Sequence, residues 1–133
     1  MRKIIVSAWV TLDGIFDANT MGEWFAPFDS EARQAYIRDG ILSADALLLG
    51  RTTYEMLYPY WSSLKNNEMG VAAKLNSMPK YVASRTIVEP LEWNATLIKG
   101  DAAEEIRKLK QEPGKNLLQY GVGELTHTML QHG

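Results

Sequence analysis

Short apolar runs recur along the chain, and most are followed by a polar stretch with a helical repeat. Residues 4–11, Ile4-Ile5-Val6-Ser7-Ala8-Trp9-Val10-Thr11, are rich in β-branched and aromatic side chains and predict a buried first strand, closed by the turn residues Asp13-Gly14. No regular period runs from there to Phe28, where Gly22, Pro27 and the aromatics Trp24, Phe25 and Phe28 fall. Long irregular segments are uncommon in compact domains unless they serve a function, so this one is a candidate lid. Asp29-Ser30 before Glu31 marks a helix start with a capping side chain and an acid in its first turn. Ala46-Leu47-Leu48-Leu49-Gly50 is continuously apolar, the habit of a strand buried on both faces of a parallel sheet. A helix is predicted directly after it, with Thr52 as cap and Glu55 reaching back in a capping box.

The second half repeats the alternation. Residues 71–76 predict a short helix ended by Pro79, and 80–84 a third strand. Residues 96–98 form a weaker fourth strand. Asp101 starts a helix through Ile106, Leu109 and Lys110 that Pro113-Gly114 stops. Asn116-Leu117-Leu118-Gln119-Tyr120 predicts a fifth strand, and Gly121-Val122-Gly123 turns into a last helix over 124–131. Strands alternating with helices predict an α/β fold, a mostly parallel central sheet with helices on both faces. No internal repeat, low-complexity tract or linker divides the 133 residues, which read as one domain, 1–133.

Composition narrows the chemistry. A hydrophobic fraction of 46% and a charged fraction of 23% are ordinary for a globular protein. A net charge of −2 gives no global attraction to nucleic acid or to anionic lipid, so any phosphate binding must be local. The absence of cysteine excludes disulfides and thiolate metal sites, and His127 and His132 cannot build a zinc site unaided, so no metal is predicted. Met1-Arg2-Lys3 is like the start of a signal peptide, but the apolar run after it gives way at Thr11-Leu12-Asp13, too early for a signal sequence or a membrane span. A cytoplasmic protein is expected. The last helix leads straight to His132-Gly133, where a further strand would be natural, and an unpaired sheet edge predicts a homodimer.

Three predicted strand-to-helix turns carry donor groups. Gly50-Arg51-Thr52-Thr53 offers a glycine for close approach, free N–H groups at a helix start and a guanidinium fork. Ser84-Arg85-Thr86 flanks an arginine with hydroxyls. Gly121-Val122-Gly123 permits a pyrophosphate to approach a helix start. Singly, each is more often plain surface or a turn. Together they fall on one edge of a parallel sheet, where the ligands of open α/β sheets bind. The Gly-x-Gly-x-x-Gly of the ordinary dinucleotide fold is missing after the first strand. A nucleotide transferase would need paired metal-binding carboxylates near Arg51, and none lies close in sequence.

Leu49-Gly50-Arg51-Thr52-Thr53-Tyr54-Glu55 resembles the Gly-Arg-x-Thr-aromatic-Glu signature of the dihydrofolate reductase superfamily, in the branch of the RibD C-terminal (riboflavin-biosynthesis reductase) domain. Ser7, Asp13-Gly14, Pro79-Lys80-Tyr81-Val82-Ala83-Ser84 and Gly121-Val122-Gly123-Glu124-Leu125 extend the match along nearly the whole chain. The resemblance implies the three-layer fold of that superfamily, without its C-terminal strands. It also implies an NADPH-dependent reductase acting on a pterin-like or aminopyrimidine-like ring, similar to dihydrofolate reductase and to 5-amino-6-(5-phosphoribosylamino)uracil reductase. Gly50, Arg51, Thr52 and Thr53 then hold cofactor phosphates, and Ser84, Arg85 and Thr86 meet the adenosine end with its 2′-phosphate. Gly121, Val122, Gly123 and Glu124 receive the pyrophosphate, while Ala8 and Ile15 line the nicotinamide pocket. Trp24-Phe25-Ala26-Pro27-Phe28-Asp29 resembles the superfamily's Trp-x-x-Pro-x-Asp stretch, which nominates Asp29 as the acid assisting protonation, or else as a helix cap. Asp13, Trp24, Phe28 and Tyr54 are the candidate substrate contacts. Val122 splits a glycine pair that the superfamily keeps adjacent. This departure favours the alternative, a non-catalytic nucleotide-binding homologue of the same fold.

Overall fold

The computed structural model describes all residues, Met1–Gly133. Five strands, β1 (Ile4–Ser7), β2 (Ala44–Gly50), β3 (Lys80–Ala83), β4 (Ala95–Ile98) and β5 (Asn116–Tyr120), form one sheet in the order β1-β5-β2-β3-β4. Every neighbouring pair is parallel, so all the strands' C-terminal ends lie on one rim. The helices are α1 (Met21–Trp24), α2 (Glu31–Leu42), α3 (Arg51–Ser63), α4 (Ala72–Ser77), α5 (Ala102–Gln111) and α6 (Glu124–His132).

Strand β2 shows why a continuous apolar run belongs in the middle. Side chains alternate across a strand, and those of Leu47 and Leu49 join one buried cluster with Ile41, Tyr54, Leu75, Val82 and Leu118. Those of Ala46 and Leu48 join a second cluster with Ile98, Ile106 and Leu117. Helices α2, α3 and α4 therefore cover one face, and α5 and α6 the other. This is the three-layer architecture of the dihydrofolate reductase-like fold. No helix is long and apolar enough to cross a membrane.

Two expectations about local structure are corrected. The first strand is short and marginal, not buried: it ends at Ser7, and Ile5 and Val6 are each 40% exposed. Insertion of β5 between β1 and β2 leaves β1 at the sheet edge, and Trp9 turns away to pack on Phe25 and Tyr36. The capping box at Thr52 is absent as well. Helix α3 begins two residues earlier, with Gly50 as its cap and no capping side chain, and Glu55 pairs instead with Arg51 at 2.8 Å. By contrast Ser30 and Asp101 cap α2 and α5 as read from sequence, accepting from the N–H groups of Arg33 and Glu104.

Two polar clusters hold the N-terminal ends of the strands. Asp45, at a register shift in β2, pairs with the buried Arg2 and accepts from Lys115 N–H at 2.8 Å, while Arg2 Nε donates to the Lys115 carbonyl. A Cβ on Gly114 would lie 2.6 Å from Asp45 Oδ2 and 3.0 Å from Arg2 Nε. Gly114→Ala should therefore push this pair apart and destabilise the fold by about 1 kcal/mol, read as a lower urea midpoint. The second cluster is Lys80, fully buried at the start of β3. Its Nζ donates to the Asn76 carbonyl at 3.1 Å and lies 4.2 Å from the centre of the Trp93 ring, whose Nε1–H donates to Asn76 Oδ1. Burial pushes the Lys80 amine down to about 8.

Candidate functional site

The rim begins at the centre of the sheet. Strands β5 and β2 are neighbours, yet α6 leaves β5 toward one face and α3 leaves β2 toward the other. Open α/β sheets bind ligands where successive connections diverge in this way. Both helices start from a glycine, Gly50 for α3 and Gly123 for α6, with no side chain capping their first N–H groups. Those donors and the positive ends of the two helix dipoles are left for an anion.

The three donor turns touch one another. Arg51 Nη1 donates to Thr86 Oγ1 at 2.7 Å, which joins the turn after β2 to the turn after β3. On the other side, Gly121 has a φ of +80° and lies against Thr53: a Cβ there would be 3.6 Å from Thr53 Oγ1. Ser84 Oγ accepts from the N–H groups of Thr86 and Ile87, which fixes the turn that presents Arg85. Arg85 is exposed and makes no ion pair, so its guanidinium is uncommitted. Beneath the glycine turn, buried Thr126 accepts from Gly123 N–H at 3.2 Å and from Gln119 Nε2 at 2.7 Å. Val122 is 46% exposed, and the exposed Glu124 is the first residue of α6. A ligand anion there would meet backbone N–H groups, with the Glu124 carboxylate opposing it.

Beside the rim, a cleft of about 440 Å³ runs along the exposed side of β1 beneath α2. Ile5, Ser7, Ala8 and Trp9 form one wall, Tyr36, Ile37 and Asp39 the other, and Leu118 and Tyr120 the floor. A mostly apolar cleft with a few polar groups is the usual form of a small-molecule site. It joins the rim directly, because Ser7 and Tyr120 are register partners and the Ser7 carbonyl accepts from Gly121 N–H at 2.9 Å. The segment after β1 folds back over this junction. Thr11 and Ile15 close a turn, and the Phe16 ring comes within 4.0 Å of the position of a Cβ on Gly121.

The residues nominated from sequence divide into those gathered here and those spent elsewhere. Gly50, Arg51, Thr52, Thr53, Ser84, Arg85, Thr86, Gly121, Val122, Gly123 and Glu124 all lie in the rim turns, Ala8 in the cleft wall, and Ile15 in the overhanging loop. Tyr54 is not at a surface. It is 5% exposed, its hydroxyl donates to the Glu92 carbonyl and accepts from Glu92 N–H, and its ring stacks on Tyr58. Its chemistry is consumed in tying α3 to the segment before β4. Asp13 bonds Thr11 Oγ1 and serves the turn. Trp24 donates to the Asp17 carbonyl, and Phe28 is 75% exposed on the loop. None of these four lines the cleft.

Asp29 is occupied too. Its carboxylate accepts from Gln34 Nε2, from Arg33 Nε and Nη2, and from Ser30 N–H. The Gln34 amide first, and then Arg33, hold its carboxyl below the usual range, so at neutral pH it has no proton to give. The Arg33 guanidinium also lies over the Phe25 ring, and Phe25 packs on Trp9, so this ion pair fastens the loop to the cleft. Sequence reasoning missed the cleft's Tyr36, Ile37, Asp39 and Tyr120. Helical spacing from Tyr36 to Asp39 and Gly40, and the pairing of Tyr120 with Ser7 at the strand ends, were the available signals.

The all-parallel sheet, with its donor turns gathered on one rim beside an apolar cleft, defines an open-sheet α/β domain. The profile of the RibD C-terminal domain matches residues 2–133, and the chain belongs to that family, within the dihydrofolate reductase-like superfamily. It is also similar to YyaP, an uncharacterized protein of Bacillus subtilis (strain 168): 30% identical over 136 residues, spanning 99% of this chain and 69% of that protein.

Proposed function

We propose that this protein is an NADPH-dependent reductase that binds its cofactor along the rim and its acceptor ring in the cleft beside β1. The observation that carries the reading is the contact chain from Thr86 through Arg51 on one side and Thr53 to Gly121 on the other, which makes one continuous donor surface. Its parts fit a dinucleotide: two uncapped helix starts and the Arg51 fork for the phosphates, and the unpaired Arg85 for a 2′-phosphate. When bound, NADPH supplies the hydride delivered to a pterin-like or aminopyrimidine-like ring. The chain's own part is positioning and exclusion of water. Trp9 and Ile37 give the ring apolar walls and Leu118 an apolar floor, and the loop carrying Ile15 and Phe16 covers the junction of rim and cleft. A riboflavin-type aminouracil reduction, cytoplasmic location and a homodimer through the β1 edge complete the proposal.

The test is titration with NADPH, followed by quenching of the four tryptophans, and then loss of reduced-nicotinamide absorbance when candidate rings are added. No binding at about millimolar NADPH, well above the range of ordinary cofactor sites, would end the reading. Within it, Arg85→Ala should cut the preference for NADPH over NADH about tenfold, as expected for loss of one charge-assisted contact to the 2′-phosphate. Equal loss of affinity for both cofactors would place Arg85 elsewhere. A second reading, a nucleotide-binding homologue without turnover, is favoured by the state of Asp29, whose carboxylate is fully engaged and ionised. It predicts NADPH binding with no oxidation in the presence of any folate or riboflavin precursor.

A further inference from the structure

Gln119 is a polar residue in an apolar layer. Side chains alternate along β5, so it faces the same side of the sheet as Leu117, toward α5 and α6. Its register partners are Val6 on β1 and Leu48 on β2, and it is 3% exposed. A leucine would fill that space, whereas the carboxamide is buried with an Oε1 that meets no donor from the chain. Burying an amide with one end unmet costs stability. The other end shows where the amide is used. Nε2 donates to Thr126 Oγ1 at 2.7 Å and, in a longer contact of 3.4 Å, to the Gly121 carbonyl. Thr126 Oγ1 in turn accepts from Gly123 N–H at 3.2 Å. The Gly121 carbonyl fixes which way round the amide lies, since only its nitrogen end can donate.

The turn above has no side chains with which to hold itself. Gly121 takes a φ of +80°, Gly123 follows, and Val122 between them is exposed. Three bonds from outside set its shape: Gly121 N–H to the Ser7 carbonyl, the Gly121 carbonyl to Gln119, and Gly123 N–H to Thr126. These leave the N–H groups of Val122, Glu124 and Leu125 without a partner in the chain. We infer that Gln119 and Thr126 form a buried tether that holds the glycine turn, before any ligand arrives, in the shape that presents those three N–H groups to one anionic group. The inference rests on the reading of the rim as the cofactor site, where that group is the pyrophosphate of NADPH. Neither residue touches the ligand. Both are positioning residues, and they raise affinity by removing the cost of ordering the turn on binding.

The test compares the wild-type chain with Gln119→Leu, Thr126→Val and Thr126→Ser. Tryptophan quenching follows NADPH, isothermal titration follows 2′-AMP, which has no pyrophosphate, and hydrogen exchange without ligand follows the Gly123 amide. Gln119→Leu and Thr126→Val should each bind NADPH about tenfold more weakly, with affinity for 2′-AMP unchanged. Combined, they should lose little more than either alone, because both break one chain of bonds. Thr126→Ser keeps the hydroxyl and should keep wild-type affinity, and should Gln119→Leu fail to fold, Thr126→Ser against Thr126→Val carries the same comparison. Exchange at Gly123 should be about tenfold faster in the two disruptive variants. Unchanged NADPH affinity, equal losses for NADPH and 2′-AMP, additive losses or unchanged exchange would each overturn the tether. A wild-type chain that binds no NADPH strikes the rim assignment, and the tether's role toward that ligand with it. The exchange result then decides by itself whether the two residues hold the turn.

Discussion

Replacing Arg51 with alanine is expected to weaken NADPH binding about a hundredfold and to leave the fold intact. Arg51 is the hinge of the rim: Nη1 reaches Thr86 across from β3, and Nε is held by Glu55 one turn along α3. Both partners are on the surface, and an exposed pair of this kind stabilises a protein by less than about 1 kcal/mol. A guanidinium bonded to a phosphate is a different matter. Such charge-assisted contacts contribute about 1.5–3 kcal/mol each, and a loss near the upper end is a factor of about a hundred in affinity. Arg51→Lys should recover only part of it, because a lysine ammonium cannot bridge Thr86 and a phosphate with one planar fork. Isothermal titration with NADPH, with urea denaturation as the control, separates binding from folding. An alanine variant with wild-type affinity would show that the phosphates lie away from this turn.

The second large effect concerns stability. Lys80→Met should raise it by about 2 kcal/mol near neutral pH, since a buried cation with one hydrogen bond and one aromatic face is exchanged for an apolar chain of similar volume. The sign with pH follows from the lowered amine, about 8 in the fold against an ordinary 10.5. Between those values the unfolded chain holds a proton that the folded chain has released, so wild-type stability climbs as pH rises through that window. The variant lacks this climb, and the gap between the two should shrink by more than half from about pH 7 to about pH 9.5. Tyr120, raised to about 12 by burial, acts oppositely above its ordinary value near 10, so the comparison belongs below that. Paired urea titrations give the answer. A wild type more stable than Lys80→Met at neutral pH would mean that Trp93 and Asn76 fully offset the burial of the charge.

Much of the architecture was readable from local pattern. The run from Ala46 to Gly50 announced a central strand because both of its faces are buried, and the bounds of β5 were read as they stand. Ser30 and Asp101 announced their helices because a capping oxygen acts on N–H groups three residues away. What escaped was long-range. Nothing near Ile4 says that β5 will separate it from β2, so the first strand read as interior when it lies at the margin. The donor turns were legible because each is contiguous in sequence. The cleft was not, because its walls come from β1, α2 and β5, which meet only when the sheet assembles. Tyr54 shows the converse error: a residue inside a recognisable motif was assigned to a ligand, although the partner that consumes its hydroxyl, Glu92, lies 38 residues away.

The position of β5 also bears on how the chain acquires its shape during synthesis. β1 is made before β2, β3 and β4, yet its sheet partner, joined through pairs such as Ile4 with Leu117, is β5, which is made after all three. The β2, β3 and β4 block can associate in order of emergence, while β1 waits with its apolar side chains unsatisfied. Pairing of β1 is then a late insertion, slow for the length of chain it closes, and the nascent protein is open to aggregation or to chaperone capture until β5 is free to enter the sheet.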